Sequence, residues 1–366
     1  MRRRDLLAGS IATALCSPAK PLRDVFSGQS ENLRSLASAK AIFVGSEVSN
    51  QQLRNPAVTT FASTECNILA PENQMQWELV QPEPGRYDFA AMDELMAFAK
   101  SNSLPVHGGT LCQNLALPAW VAKEATTDNA AELLQEHVHA MVSRYQGRVQ
   151  SWNVVSNAVE PSDHRDDGMR NSPWMKLLGL RYIAIAFRAA AEADHRTILT
   201  YSERGLVDDS ENSHHRRLIT LGFLRWFRTN HIPIHALALE SHLWARYDYL
   251  PDWSGLLAFL REVEKLELQI FVTGLDIDDT DLSTRPEKRD KQVAELCKDY
   301  LDTVLKHRGV TAVLTSQPVS HAAEIVNDFG QTEKRHIAGP LSEDFRPTSF
   351  LSAMNEAVQK RRTTAR

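Results

Sequence analysis

The side chains best equipped for chemistry in this chain are acidic, and they recur just past short apolar runs. Glu72 follows the run 67–71, Glu203 lies just past 197–201, Glu240 ends 236–240, and Glu160 lies just past 149–156. Asp276, Asp278 and Asp279 follow a seventh such run. Two carboxyls in one cleft are the minimal equipment for general acid–base work, because burial or a like charge nearby raises one pKa while the other group stays ionised. The plainer reading of the same residues is a solvated acidic mouth, with Asp276 as a structural acceptor. Other chemistry has less support. His137 and His139 are two apart, so they fall on different faces of a helix, and His214 and His215 are adjacent; neither pair has the i, i+4 spacing of helical metal ligands. The segment Asp276–Ser283 lacks the turn glycine and terminal glutamate of a calcium loop. No nucleophile elbow or phosphate loop is present, and no metal or cofactor is expected.

The elements that must position these residues alternate between strand and helix. Eight β-type runs stand out: 41–48, 67–71, 105–111, 149–156, 197–201, 236–240, 269–275 and 310–314. Several are almost wholly apolar, as suits parallel strands covered on both faces. Between them lie helical stripes. Met92, Leu95, Met96 and Ala99 form one, Leu134, Val138, Met141, Val142 and Tyr145 another, and Val293, Leu296, Cys297, Tyr300, Leu301, Val304 and Leu305 the clearest. Eight strand–helix units over this length predict an α/β fold, a single-domain (β/α)8 TIM barrel spanning residues 39–362. An open doubly wound sheet fits less well, since no glycine-rich loop follows the first strand. Function in such a barrel sits at the C-terminal ends of the strands, where the carboxylates fall.

The whole chain has 366 residues, 24% charged and 43% hydrophobic. That is the composition of a soluble globular protein and argues against disorder or a membrane bundle. A net charge of −5 argues against a nucleic-acid partner, which would need a basic face. The N-terminus stands apart. Arg2, Arg3 and Arg4 precede an apolar run from Leu6 to Cys16 and small residues at 17–19. The run is too short to span a bilayer and has the build of an export signal of the twin-arginine type, so a periplasmic or secreted product is expected. Cleavage after residue 19 would remove three Arg and one Asp, taking the net charge from −5 to −7. Residues 20–38 are read as a polar lead-in. Cys16 is a poor match to a lipid attachment site, and Cys66, Cys112 and Cys297 fit no zinc or redox spacing, so buried unreactive thiols are expected.

At the strand ends the sequence resembles glycoside hydrolase family 10, the endo-β-1,4-xylanase family. PENQMQWELVQPEPGRYDF is similar to the family's E-N-x-M-K-W-E and Q-P-x-x-G-x-Y-x-F segments, and HGGTLCQN to R-G-H-T-L-V-W-H. SWNVVSNAVEP resembles W-D-V-V-N-E-A, LALESHL resembles G-x-Q-x-H, and VTGLDI resembles T-E-L-D-[IV]. The motifs fall in family order over residues 40–360.

The resemblance implies a retaining mechanism with an acid/base glutamate ending strand four and a nucleophile glutamate ending strand seven, about 5–5.5 Å apart. Those positions are Asn157 and Gly274. Neither side chain performs the family's step. Other sugar-facing positions also differ: the family lysine is Gln76, two histidines are Gly109 and Asn114, tryptophans fall at Gln113 and Ser316, a glycine at Gln317, an asparagine at Ser156, and the strand-six glutamine is Glu240. The fifth-strand N-D-Y reads Ser202-Glu203-Arg204. Glu72, Asn73, Trp77, Trp152, His242 and Asp276 are retained. The expected function is a catalytically degenerate, xylanase-like barrel that holds a polysaccharide or oligosaccharide with Glu72, Asn73, Gln76, Asn114, Glu240 and His242. His242, with no nucleophile to orient, is expected to be a buried, hydrogen-bonded residue. Two alternatives stay open: an active glycoside hydrolase using relocated carboxylates among Glu160, Glu203, Glu240 and Asp276, and a protein-interaction scaffold. The sequence does not fix the oligomeric state.

Overall fold

The architecture was read from a computed structural model, which describes residues 32–114, 117–246, 251–326 and 332–362. The export-signal reading, Cys16 and residues 20–31 of the lead-in lie outside these residues.

Eight parallel strands form the barrel: β1 (Phe43–Val48), β2 (Ile68–Pro71), β3 (His107–Gly108), β4 (Ser151–Ser156), β5 (Ile198–Glu203), β6 (Ala236–Trp244), β7 (Gln269–Asp278) and β8 (Val310–Thr315). Their order is β2-β1-β8-β7-β6-β5-β4-β3, and a parallel bridge from Leu69 to Val106 links the two ends. This is the single-domain (β/α)8 barrel expected from the sequence. Strand alternation divides each strand between two cores. Ile68, Ala70, Ala236, Ala238, Phe271, Ala312 and Leu314 fill the barrel interior. The opposite faces of the strands pack, with the surrounding helices, into a larger continuous core.

The helical stripes lie where their periodicity placed them. Helix Ala130–Arg144 buries Leu134, Val138, Met141 and Val142. Helix Pro286–Val304 buries Val293, Leu296, Cys297, Tyr300 and Leu301, and its first-turn proline costs no hydrogen bond.

Three expectations need correction. The lead-in is not polar throughout: Leu33–Ala39 is a helix capped by Asn32, with Leu33, Leu36 and Ala37 buried. Glu65 ties this helix down by accepting from the Leu33 amide at 2.9 Å. The third strand is far shorter than 105–111, because the pairing is interrupted beyond Gly108 and resumes only as a bridge from Cys112 to Val155. Finally, β9 (His321–Val326) and β10 (Thr332–Ala338) form an antiparallel hairpin after β8, and Ile337 and Ala338 of β10 pair with Asp278 and Ile277 of β7. The hairpin lengthens the barrel wall at its C-terminal rim.

Candidate active site

A cleft of about 280 Å³ opens at the C-terminal end of the barrel. Each strand contributes inward-facing residues to it: Glu47 from β1, Glu72 after β2, His107 from β3, Asn153 and Asn157 from and after β4, Ser202 from β5, Glu240 and His242 from β6, Thr273 and Gly274 from β7, and Ser316 after β8. Gln76, Gln113 and Gly109 complete its wall.

The β4 and β6 contributions are locked together. Asn157 has φ of 53°, a left-handed conformation that asparagine tolerates better than most residues. Its amide donates to both Glu240 carboxylate oxygens at 3.1 and 3.2 Å, and the Ser202 hydroxyl donates to Glu240 Oε1 at 2.6 Å. On its other side Asn157 Oδ1 accepts from the Arg204 backbone amide at 3.1 Å. Glu240 is thus a fixed carboxylate in the cleft.

On β7 the strand bulges: its register with both β6 and β8 shifts near Gly274. Gly274 has φ of +56°, and a Cβ there would stand 3.2 and 3.3 Å from the His242 ring. His242 was expected to be buried. Instead 55% of its side-chain surface is open to the cleft, while Nδ1 bonds the Asp276 carboxylate at 3.0 Å. Because residue 274 is glycine, no side chain stands against this side of the ring. Enclosure by the cleft walls works against the charged ring, but the Asp276 hydrogen bond and the charges of Asp276, Glu240 and Glu47 outweigh it and raise the pKa to about 9.

The remaining sequence candidates separate sharply. Glu72 lines the cleft and accepts from Gln317 Nε2 at 3.1 Å. Gln76 also lines it. Asn73 is exposed and outside the cavity lining. Asn114 is buried behind the wall, with its amide donating to the Ser156 carbonyl at 2.6 Å, so it is not presented to a ligand. Of the four carboxylates considered for relocated catalysis, only Glu240 lines the cleft. Glu160 is buried in an arginine cage: Arg170 donates to it at 2.8 Å, Arg216 donates to it as well, and Arg204 lies at 3.5 Å. Desolvation there raises its pKa, but the hydrogen bonds from Arg216 and Ser162 and the arginine charges prevail and hold it at about 2. Glu203 is fully buried, accepting from Tyr201 and from the Val159 amide at 2.9 Å. Burial raises its pKa to about 7 against those hydrogen bonds. Asp276 serves His242.

The sequence reading missed Glu47. It alternates inward with Phe43 and Gly45 along β1, and that period of two was the available signal. Enclosure below the rim pushes its pKa up to about 8; His242 opposes the rise, and Glu240, Glu72 and Asp276 add to it.

Among the described residues no group of three or more His, Cys, Asp or Glu side chains is arranged to hold a metal ion, and no helix is long and apolar enough to cross a membrane. Cys66, Cys112 and Cys297 are free and buried, with thiol pKa values raised by burial.

This geometry sits on a fold with many solved counterparts. Xylanase 10B from Thermotoga maritima superposes with a TM-score of 0.78 at 29% identity, covering 90% of this chain and 98% of that one. Xylanase 10B from Thermotoga petrophila, solved with xylobiose, gives 0.78 at 28% identity over 91% and 98%. In sequence, the Beta-1,4-xylanase of Dictyoglomus thermophilum is 30% identical over 259 residues, 68% of this chain and 70% of the relative. The profile of glycosyl hydrolase family 10 matches residues 32–318. The chain belongs to glycosyl hydrolase family 10. Within a family 10 barrel, the ends of β4 and β7 are where the resemblance places the two catalytic glutamates, and here Asn157 and Gly274 occupy them.

Proposed function

We propose that this family 10 barrel binds an oligosaccharide or polysaccharide in its C-terminal cleft without the family's two-glutamate hydrolysis. The observation that carries this reading is the pairing of Gly274 with His242. The nucleophile position has no side chain, its backbone is left-handed, and an imidazole stands against the space a side chain would enter. Asn157, at the acid/base position, is engaged by Glu240 and Arg204 and has no proton to transfer at neutral pH. The cleft itself supports ligand binding, being open, polar and lined by fixed hydrogen-bonding groups. Relatives described as xylanases, one of them solved with xylobiose, favour a glycan as the occupant.

A second reading, an active glycoside hydrolase, rests on Glu240 and Glu47. Both carboxyls line one cavity, and burial raises the pKa of Glu47 to about 8, as suits a proton donor. Thermal-shift titration with oligosaccharides and reducing-end release from xylan separate the readings. A shift without release supports the binder, release supports the hydrolase, and neither supports a scaffold.

A further inference from the structure

The charge and shape of the cleft narrow the kind of sugar it takes. Three carboxylates line it, Glu47, Glu72 and Glu240, and among the described residues lining it there is no lysine or arginine. Of its two histidines, His107 is held neutral by burial, its pKa lowered to about 4, and His242 is already matched by Asp276 at 3.0 Å, so no lining cation is left for Glu72 and Glu240, or for Glu47 once it ionises. Among the described residues, no Trp, Tyr or Phe belongs to that lining either. An apolar ring face is the usual platform for stacking a flat, uncharged ligand; the described lining offers a sugar charge and hydrogen bonds instead. Glu240 is held by Asn157 and Ser202, so it presents a preorganised anion.

We propose that the cleft selects an oligosaccharide carrying protonated amines, a polymer of amino sugar, over neutral xylo-oligosaccharide, with Glu240, Glu72 and Glu47 receiving the ammonium groups. This rests on the glycan-binding reading above. The barrel and its cavity define the site, and the carboxylates set its specificity.

Glu47 gives the proposal a distinctive signature. Its side chain has no hydrogen-bond partner among the described residues, and the groups facing it are Glu72 beyond β2, Glu240 and His242 on β6, and Asp276 on β7. Enclosure, with the neighbouring carboxylates, keeps it protonated up to about pH 8 despite His242. An arriving ammonium group favours the ionised form, so binding below that pH should expel the Glu47 proton into solvent.

The test is isothermal titration calorimetry of the full chain with three tetramers: fully deacetylated β-1,4-glucosamine, its N-acetylated counterpart, and xylotetraose. Runs at about pH 5.5 in buffers of different ionisation enthalpy count the protons, at a pH where amine and Glu47 are both protonated. The deacetylated tetramer is expected to bind at least about tenfold more tightly than either neutral one, with affinity falling as salt is raised and with proton release. Glu47→Gln, which mimics the protonated side chain and should fold normally, is expected to abolish the release. Glu240→Gln, which places the family's own glutamine on β6, is expected to narrow the preference for the amine. Xylotetraose binding as tightly as the amino sugar would overturn this inference and leave the glycan-binding reading standing. Binding by none of the tetramers would overturn both. A tetralysine peptide binding as tightly as the amino sugar would show that charge alone is recognised and would overturn the assignment to a sugar.

Discussion

The His242 ring lies 3.2 Å from where a Cβ on Gly274 would stand. The loss of a glutamate at 274 is therefore more than a missing side chain. The backbone has adopted a left-handed conformation, β7 has bulged, and the neighbouring imidazole stands against the opened space. Gly274→Ala should cost roughly 1–3 kcal/mol of stability, from the left-handed backbone and the close contact together. Chemical denaturation checks this, and a variant as stable as the parent would show that the bulge relaxes freely.

Restoring the family's nucleophile should consequently fail to restore its reaction. Gly274→Glu must displace His242, and Asn157 still lacks a proton for the leaving oxygen. Adding Asn157→Glu sets a second carboxylate against Glu240 in a left-handed backbone position. Turnover of an aryl xyloside with a good leaving group, which needs little acid assistance, is expected to remain near background in both variants. Brisk turnover by Gly274→Glu alone would show that the sugar cradle is intact.

His242 supplies a pH signature. Its folded pKa, about 9, lies above the ordinary imidazole value near 6.5. A raised pKa means that protonation favours the folded state. The stability due to the Asp276 pair is therefore fully present below about pH 6.5 and is lost as pH rises through about 9. Titration of the His242 ring by NMR should find its midpoint in the alkaline range, and Asp276→Asn should move that midpoint down. A midpoint in the parent at or below 6.5 would contradict the pairing.

Much of the barrel was legible because its strands are apolar runs and its helices carry apolar stripes at 3.6 spacing. The β9–β10 hairpin was not legible. It is inserted within the eighth strand–helix unit, between β8 and the helix Ser349–Lys360, and alternating polar residues such as Glu333 and Arg335 in β10 gave no buried-strand signal. The site was legible in part. Strand-end position picked out Glu72, Gln76, Glu240 and His242, which do line the cleft. It also picked out Glu160 and Glu203, because chain position says where a residue lies and not which arginine or backbone amide already claims it. Glu47 escaped notice because it sits within its strand and not after it.

Glu160 should behave as a structural residue. Its cage buries Arg170 and Arg216, and removing the carboxylate takes away the carboxylate bonded to Arg170 and leaves Arg216 only the more distant Glu203 at 3.9 Å. Glu160→Ala is expected to cost about 3–5 kcal/mol, read by denaturant unfolding. A depressed pKa makes this contribution present above about pH 4.5 and lost as pH falls through about 2. Unchanged stability in Glu160→Ala would free the residue for another role.

We propose export through the folded-protein route, from the arginines that precede the apolar run at Leu6–Cys16. Replacing Arg3 and Arg4 with lysine should leave full-length precursor in the cytoplasm. Parent and variant found equally unprocessed there would refute the signal.

The central claim is that the cleft binds a glycan that it does not cleave by the family route. The most direct measurement is reducing-end release from xylan by the purified protein over a long incubation, run beside Glu240→Gln prepared identically. The account predicts the same background in both, because neither retains a glutamate at position 157 or 274. Release by the parent that rises with protein concentration and vanishes in Glu240→Gln would contradict it and place catalysis on the β6 carboxylate.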